Sequence, residues 1–452
     1  MTFVRPARID PPEQPLPVLR LLQTVVSNPI KAWPRAVFRD RLYRRRVFGQ
    51  DIVYVMAPDL IRTVLLDEAD HFEKGEIARR TLGPGLGDSI LVADGPRWRW
   101  QRRAVAALFR PERVREFLPE MIAAAERTRD RWQSMPPEAE IDVAHEMMRT
   151  TFEIILRAML PGRGSIDTES MERCVTSGLG STSWIVALAM ARAPGWVPYP
   201  GIYRARRDRE RLHAILDDLI VEARKTPGKS DDLMSYLINA TDPETGKPMS
   251  AVDVRNNLMT FITAGHETTA LALTWTFYLL SLHPEIEARV RREIAVVTGG
   301  DHVRPDHIDA LVYTNQVVQE SMRLYPPAAL IVRAALRDVV LDNEQIGAGT
   351  TVYVPVYAVH RHERLWREPD RFDPGRFDPD AAKSIDRYSY LPFGAGPRTC
   401  IGQNFAQWEA TAVIAALLRA FHLKLREGYT PEPRLRVTLR PAKGMPMRLL
   451  QV

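Results

Sequence analysis

The ten residues from Phe393 to Gly402, Phe-Gly-Ala-Gly-Pro-Arg-Thr-Cys-Ile-Gly, hold one cysteine in a loop built from three glycines and a proline. In that setting Cys400 reads as a metal ligand. A thiolate held against a metal needs backbone N–H groups turned toward its sulfur. Gly394, Gly396 and Gly402 permit the tight path and close approach that side chains would block. Phe393 covers the sulfur on one side, and Arg398 adds a cation where an anion must be stable. A lone cysteine is otherwise a small buried hydrophobe, and only the loop around it separates the two readings.

A second group, Ala264-Gly265-His266-Glu267-Thr268-Thr269, interrupts an otherwise apolar segment. Burying a carboxylate and two hydroxyls is unfavourable unless they are hydrogen-bonded. Threonines can bond back to helix carbonyls, which accounts for the hydroxyls and leaves Glu267 unexplained. Trp98 and Arg102, and likewise Glu320 and Arg323, stand at spacings that put both members on one helix face. Each pair alone is ordinary surface patterning.

Together these stretches resemble the signatures of the cytochromes P450. Phe393 to Gly402 follows that family's Phe-Gly-x-Gly-x-Arg-x-Cys-x-Gly at every defined position, and Ala264 to Thr269 follows its Ala/Gly-Gly-x-Asp/Glu-Thr-Thr/Ser. Trp98 and Arg102 match its Trp-x-x-x-Arg. Glu320-Ser321-Met322-Arg323 and Phe372-Asp373-Pro374-Gly375-Arg376-Phe377 resemble its Glu-x-x-Arg helix and Phe-x-Pro-x-Arg-Phe segment, with Gly375 where a glutamate is common. The resemblance runs from Asp51 to Met447 with the signatures in the family's order.

The resemblance implies haem b, iron protoporphyrin IX, bound through the Cys400 thiolate, which favours O–O cleavage at the iron. Phe393, Arg398 and Gly265 would belong to the cofactor site, Gly265 leaving room for oxygen between helix and iron. Trp98 and Arg102 would hydrogen-bond one haem propionate, for which a planar guanidinium is suited, and Arg333 would contact the second. Thr268 would hydrogen-bond the iron-bound oxygen, Glu267 would relay protons to it from solvent, and His266 would be a spectator. Glu320, Arg323 and Arg376 would brace the cysteine loop without a catalytic role. Gly444-Met445-Pro446-Met447 would form the last turn lining the pocket.

The implied activity is monooxygenation of an apolar organic substrate, the hydroxylation or epoxidation of a fatty acid, terpenoid, steroid or aromatic compound. Two alternatives share the cysteine loop. A peroxide-using haem enzyme often dispenses with the acid and alcohol that Glu267 and Thr268 supply, and a non-catalytic haem-binding sensor gains nothing from a proton relay. No stretch is left over for a fused reductase. The expected electron source is therefore a separate ferredoxin or flavodoxin with its NAD(P)H-dependent reductase, docking on Arg99, Arg103, Arg110 and Arg398.

The elements that must position these residues are mainly helical. A capping box at Ser250-Ala251-Val252-Asp253 opens a long helix predicted to run to Leu282, apolar on nearly every face from Leu258 and so buried through a domain. Further helices are predicted over Pro96–Phe109, Glu285–Val297 and Val317–Tyr325, and from Arg113 to Arg224 with breaks at Pro136-Pro137, Pro161-Gly162 and Ala193-Pro194-Gly195. Alternation predicts strands at Asp51–Val55 and Thr351–Pro355 that share a small sheet. Glu76–Asp94, rich in glycine, reads as a loop, which by the resemblance would cover the substrate. Trp184–Tyr199 is apolar enough to roof a greasy pocket or touch a membrane surface, and the roof is the preferred reading.

The fold class is thus mainly α with a small β region, a cytochrome P450 fold with one haem domain (residues 51–452) and an N-terminal extension (residues 1–50) packed on it. At 452 residues and 45% hydrophobic content the chain can bury a large core. Its net charge of +6 does not indicate nucleic acid, and the Arg39–Arg46 run reads as a solvated or locally paired face. Cys174 and Cys400 are the only cysteines, which excludes a disulfide framework and suits a reducing, cytoplasmic setting. The N-terminal stretch carries Arg5, Arg8, Asp10 and Glu13 ahead of a proline-rich run, without a signal-peptide core. Arg20, Gln23 and Pro29 break the next apolar stretch, far short of the ~20 residues that span a bilayer, leaving at most peripheral membrane contact.

Overall fold

The longest helix begins where Ser250 caps it. The Ser250 hydroxyl accepts the Asp253 N–H at 3.1 Å and donates to the Asp253 carboxylate at 2.7 Å, so an orphan donor is satisfied and an acid sits at the positive helix end. The helix runs over Ala251–Leu282, and Pro284 stops it by lacking an N–H and pushing His283 out of helical geometry. From Asn256 to Leu280 every residue is buried except Thr263, Ala264, Gly265 and Thr268. Those four face an internal cavity. Helical periodicity thus turns the polar cluster toward one space.

The computed structural model describes residues 4–160, 171, 174–175, 182–191, 193–225, 233–242 and 245–452. The expected break at Pro161-Gly162 lies outside the described residues. The helices that carry the site are α1 (Gly75–Leu86), α2 (Gly95–Ala106), α3 (Val143–Met159), α4 (Thr182–Met190), α5 (Ile202–Lys225), α6 (Ala251–Leu282), α7 (Val312–Leu324) and α8 (Gln403–Leu418). Helix α6 is the hub, packed along α3 and against α7 and α8. No helix among the described residues is long and apolar enough to cross a membrane.

A five-stranded sheet flanks the helices, formed by β1 (Leu42–Val47), β2 (Gln50–Val55), β3 (Phe72–Glu73), β4 (Ile331–Ala335) and β5 (Thr351–Val354) in the order β1-β2-β5-β4-β3. The two strands legible in the sequence pair in parallel, Ile52 opposite Thr351. β4 runs antiparallel to β5 with Arg333 opposite Val352, which fixes that arginine on the inner strand. The arginine-rich run around β1 is paired as expected: Arg44 meets Asp51 at 2.6 Å, Arg41 meets Asp59 at 2.7 Å, and Arg45 donates to the Leu16 carbonyl. Residues ahead of β1 pack on the domain. Arg5 and Arg8 both reach Asp370, at 2.7 and 2.5 Å, and Asn28 exchanges hydrogen bonds with Pro433 and Leu435.

Two expectations need correction. Glu76–Asp94 is not all loop, because α1 occupies Gly75–Leu86 despite Pro84 inside it. Ala78, Leu82 and Leu86 stand four apart and all line the cavity, so turning that apolar stripe inward outweighs the weak propensity of Gly83, Pro84 and Gly85. Gly87 ends the helix at φ +56, with Asn256 of α6 packed where a side chain would stand. Gly444–Met447 does not line the cavity either. Pro446 and Met447 open a strand that pairs with Glu140–Asp142, and Val437 and Thr438 supply the C-terminal wall instead.

Candidate active site

The cysteine loop closes on one carbonyl. The Cys400 N–H donates to Phe393 O at 2.8 Å, and the Thr399 hydroxyl donates to the same oxygen at 3.4 Å. Gly394 and Gly396 both take positive φ, +69 and +71, and a Cβ on Gly396 would stand 1.8 Å from the Leu65 carbonyl oxygen. Gly396 is therefore irreplaceable on two counts. Gly402 serves differently. Its backbone is ordinary, and its N–H is aimed at the Cys400 sulfur. Cys400 is exposed, but to the cavity, so enclosure pushes its thiol up while the Gly402 N–H and the Arg102 charge oppose the rise.

The loop hangs from a buried brace. Glu320 and Arg323 of α7 are fully buried and form a bidentate pair at 2.7 and 2.8 Å. The remaining Arg323 donors reach the carbonyls of His360, Pro369 and Arg371 at 2.8, 2.7 and 2.9 Å. Arg376 stands 3.4 Å from Glu320, completing the expected triad, and the Asp373 N–H donates to the same carboxylate at 2.9 Å.

His360, which no sequence motif singled out, links this brace to the loop. Its Nδ1 donates to the Arg323 carbonyl at 3.1 Å, and its Nε2 accepts the Leu391 N–H at 2.7 Å, just ahead of Phe393. Burial and the neighbouring Arg323 hold it neutral, down to about 3. A histidine in the unfolded chain titrates near ~6.5, so below that pH the unfolded state binds the extra proton and stability falls. Between pH 6.5 and 5 the loss is ~2 kcal/mol. Urea midpoints at pH 7 and 5 should show it, and His360→Gln should flatten the difference; an equal difference in the variant would remove His360 from this role.

The cavity, about 1040 Å³, lies between the cysteine loop, α1, α4, α6 and β4. One end is cationic. Arg333 is only 8% exposed, with no acid at ion-pair distance among the described residues, and burial and Arg398 hold it down at about 10. Lys74 is brought to about 7 by burial and by Arg333 and Arg398. Arg102 is lowered by burial, with the Cys400 thiolate opposing. Asp94 is the counter-charge at this end, and it is engaged by Arg398 at 2.6 Å and Arg79 at 2.9 Å. A ligand carrying two carboxylates and a thiophilic metal fits these donors, and haem b is such a group.

Arg398 lies 4.3 Å over the Trp98 ring, so Trp98 supports that guanidinium. Arg398 also donates to the Ala93 carbonyl at 3.0 Å. It is half-buried and ion-paired, with its side chain 15% exposed. Arg99, Arg103 and Arg110 are exposed.

On α6 the hydroxyls back-bond as expected, Thr268 to Ala264 O at 2.7 Å and Thr269 to Gly265 O at 3.3 Å. Thr268 lines the cavity. Gly265 lines the cavity, and a Cβ there would also stand 2.7 Å from Ile155 Cδ1, so the glycine lets α3 approach. The His266 Nδ1 donates to Ile262 O at 2.8 Å, its ring stands edge-on to Phe152, and burial holds it below the usual imidazole range. Glu267 is 2% exposed, and its Oε1 accepts from both the Thr438 hydroxyl and Arg440. Neither partner was legible in the sequence. Arg440, 18% exposed, stands between Glu267 and solvent.

The apolar stretch that begins at Trp184 is a roof. Ile185 and Leu188 of α4, with Val197 beyond it, line the cavity, while Trp184 and Trp196 turn outward.

The cytochrome P450 family model matches residues 11–447. The chain is 31% identical over 446 residues to cyclooctat-9-en-7-ol 5-monooxygenase of Streptomyces melanosporofaciens, covering 94% of each chain. It is 29% identical to pentalenene oxygenase of Streptomyces avermitilis, over 87% of this chain and 86% of that one. The crystal structure of the cytochrome P450DA heme domain superposes with a TM-score of 0.84 over 99% of both chains at 24% identity. The chain belongs to the cytochrome P450 family, the haem b monooxygenases whose iron takes an axial cysteine thiolate.

Proposed function

We propose that Cys400 supplies the axial thiolate, and that the chain inserts one atom of dioxygen into a compact, largely apolar substrate of terpenoid type. The observation that carries this reading is that Cys400 and Thr268 open onto the same apolar cavity. Haem bound there supplies dioxygen activation, with the thiolate favouring O–O cleavage. Lys74, Arg102, Arg333 and Arg398, the last propped by Trp98, hold the propionates. Phe393 anchors the loop through its carbonyl and shields the sulfur.

Thr268 is the hydroxyl donor facing the reacting space, free to turn from the Ala264 carbonyl toward a ligand. Glu267 moves the proton, its carboxylate held through Oε1 by Arg440 and Thr438. Thr268→Ala should leave oxygen consumption intact and lower product per oxygen by roughly an order of magnitude or more, the remainder appearing as peroxide. Unchanged coupling would remove Thr268 from this role.

The terpenoid reading rests on the apolar wall formed by Leu82, Leu86, Phe109, Ile185, Leu188 and Val437, and on the two related oxygenases, one named for cyclooctat-9-en-7-ol and one for pentalenene. Electrons come from a redox partner of ferredoxin or flavodoxin type. Phe109 packs beside Gly402, which puts exposed Arg110 on the cysteine side of the molecule. Arg110→Glu should slow reduction by an acidic ferredoxin by roughly tenfold at low salt, an effect that salt erases. Equal rates would place docking elsewhere.

The whole reading is tested by supplying cyclic terpene hydrocarbons and alcohols with oxygen and reduced ferredoxin, or with peroxide alone. Product only in the first case supports it. Product only with peroxide would make the chain a peroxide-using enzyme, and binding without turnover in either case would favour a haem-binding sensor.

A further inference from the structure

Near the C-terminus the strands Pro433–Leu435 and Leu439–Pro441 pair antiparallel, with Leu435 opposite Leu439 and Arg434 opposite Arg440. The two leucines are buried, and alternation puts both arginines on the other face of the hairpin. Like charges directly opposed on neighbouring strands, with Cβ atoms only about 5 Å apart, destabilise the pairing. Arg436, one residue past the first strand, joins them. Burial, then Arg440 and Arg434, hold it below the usual arginine range, with Glu267 opposing.

All three arginines are half-buried, and the acids near them are taken. Glu267 accepts from Arg440, and Glu432 pairs with Lys31 at 2.5 Å while Lys443 adds a further cation beside it. Arg434 and Arg436 have no acid at ion-pair distance among the described residues. The Nε atoms of Arg434 and Arg440 are enclosed and have no hydrogen-bond partner there either. Half-buried cations gathered in this way need a counter-charge, and planar guanidiniums are suited to gripping the oxygens of a phosphate.

We propose that this face of the hairpin is an oxyanion site, taking free inorganic phosphate or diphosphate through Arg434, Arg436 and Arg440. Arg440 serves two partners, since its Nη2 donates to Glu267 while its Nε remains for the anion. The anion and the Glu267 carboxylate therefore draw on one guanidinium. Binding of the anion favours protonation of Glu267, and by reciprocity the loss of the Glu267 charge tightens the anion. Val437 and Thr438, at the tip of the same hairpin, line the cavity, so the site adjoins the oxygen chemistry without taking part in it. Its effect on proton delivery rests on the monooxygenase reading above, but anion binding does not.

The test is isothermal titration calorimetry of the haem-loaded protein with sodium phosphate at constant ionic strength, sodium chloride serving as the control. Saturable binding is expected, weakened roughly tenfold or more in Arg436→Gln and tightened roughly fivefold in Glu267→Gln, where a neutral amide faces Arg440. Phosphate should raise the urea midpoint of the native protein and leave that of the double variant Arg434→Gln/Arg436→Gln unmoved. In chloride the double variant should be at least as stable as the native protein, because the opposed charges are gone. No saturable binding below roughly 10 mM phosphate, equal binding in Arg436→Gln, or a chloride effect as large as that of phosphate would overturn the site. Unchanged affinity in Glu267→Gln would overturn its coupling through Arg440; should that variant not fold, lowering the pH to protonate Glu267 in the native protein and in Arg440→Gln makes the same comparison. Calorimetry does not depend on turnover, so failure of the monooxygenase reading would be recognised separately.

Discussion

Cys400→Ser is expected to fold, to lose the strongly red-shifted Soret band of the reduced carbon monoxide complex, and to lose monooxygenation by at least roughly a thousandfold, ~4 kcal/mol of barrier. The loop itself does not depend on sulfur. It is closed by backbone bonds to Phe393 O, shaped by the positive φ of Gly394 and Gly396, and seated against Leu65. Serine fits the same space, but its hydroxyl stays protonated where a thiol can ionise, so the Gly402 N–H and the Arg102 charge would stabilise an anion that never forms. Circular dichroism and urea unfolding separate this outcome from misfolding. A serine variant with native turnover would contradict the assignment of Cys400.

The second large effect belongs to the brace. Arg323→Met leaves Glu320 buried without its bidentate partner and removes donors from the carbonyls of His360, Pro369 and Arg371. Breaking a buried pair in this way costs ~3–5 kcal/mol, a large part of the ~5–15 kcal/mol that holds a typical domain folded. The damage should travel through His360 to Leu391 and the cysteine loop, so haem retention should fail at a lower urea concentration than secondary structure does. Glu320→Leu added to Arg323→Met should recover part of the loss, because the orphan charge is gone. A loss below ~1 kcal/mol for Arg323→Met would show that the pair is not what holds the loop.

Much of this was legible in the chain because the chemistry is encoded in short, local runs. Cys400 with its glycines, the polar interruption of α6 and the Glu320–Arg323 spacing each fit within a few residues, and the Ser250 cap announces the long helix. The missed features are contacts between distant segments. Arg440 reaches Glu267 across 173 positions, and His360 reaches Leu391 across 31, with no periodicity to advertise either. Glu409 lies in an alanine-rich helix that reads as plain core, and only the fold reveals that it is fully buried beside Thr269. α1 was hidden for another reason: glycine and proline propensities are local, whereas the cavity-facing placement of Ala78, Leu82 and Leu86 that overrides them comes from the fold. Gly265 adds a contact that the motif alone does not reveal, since Ile155 of α3 packs against its empty Cβ position.

The most direct measurement is the absorption spectrum of the purified, haem-loaded protein, reduced with dithionite and exposed to carbon monoxide. A strongly red-shifted Soret band, lost in Cys400→Ser, is the result expected if the Cys400 thiolate binds the iron. An unshifted band in the native protein would mean haem held by a neutral ligand or a protonated cysteine, and would contradict the roles assigned to Cys400 and to the residues arranged around it.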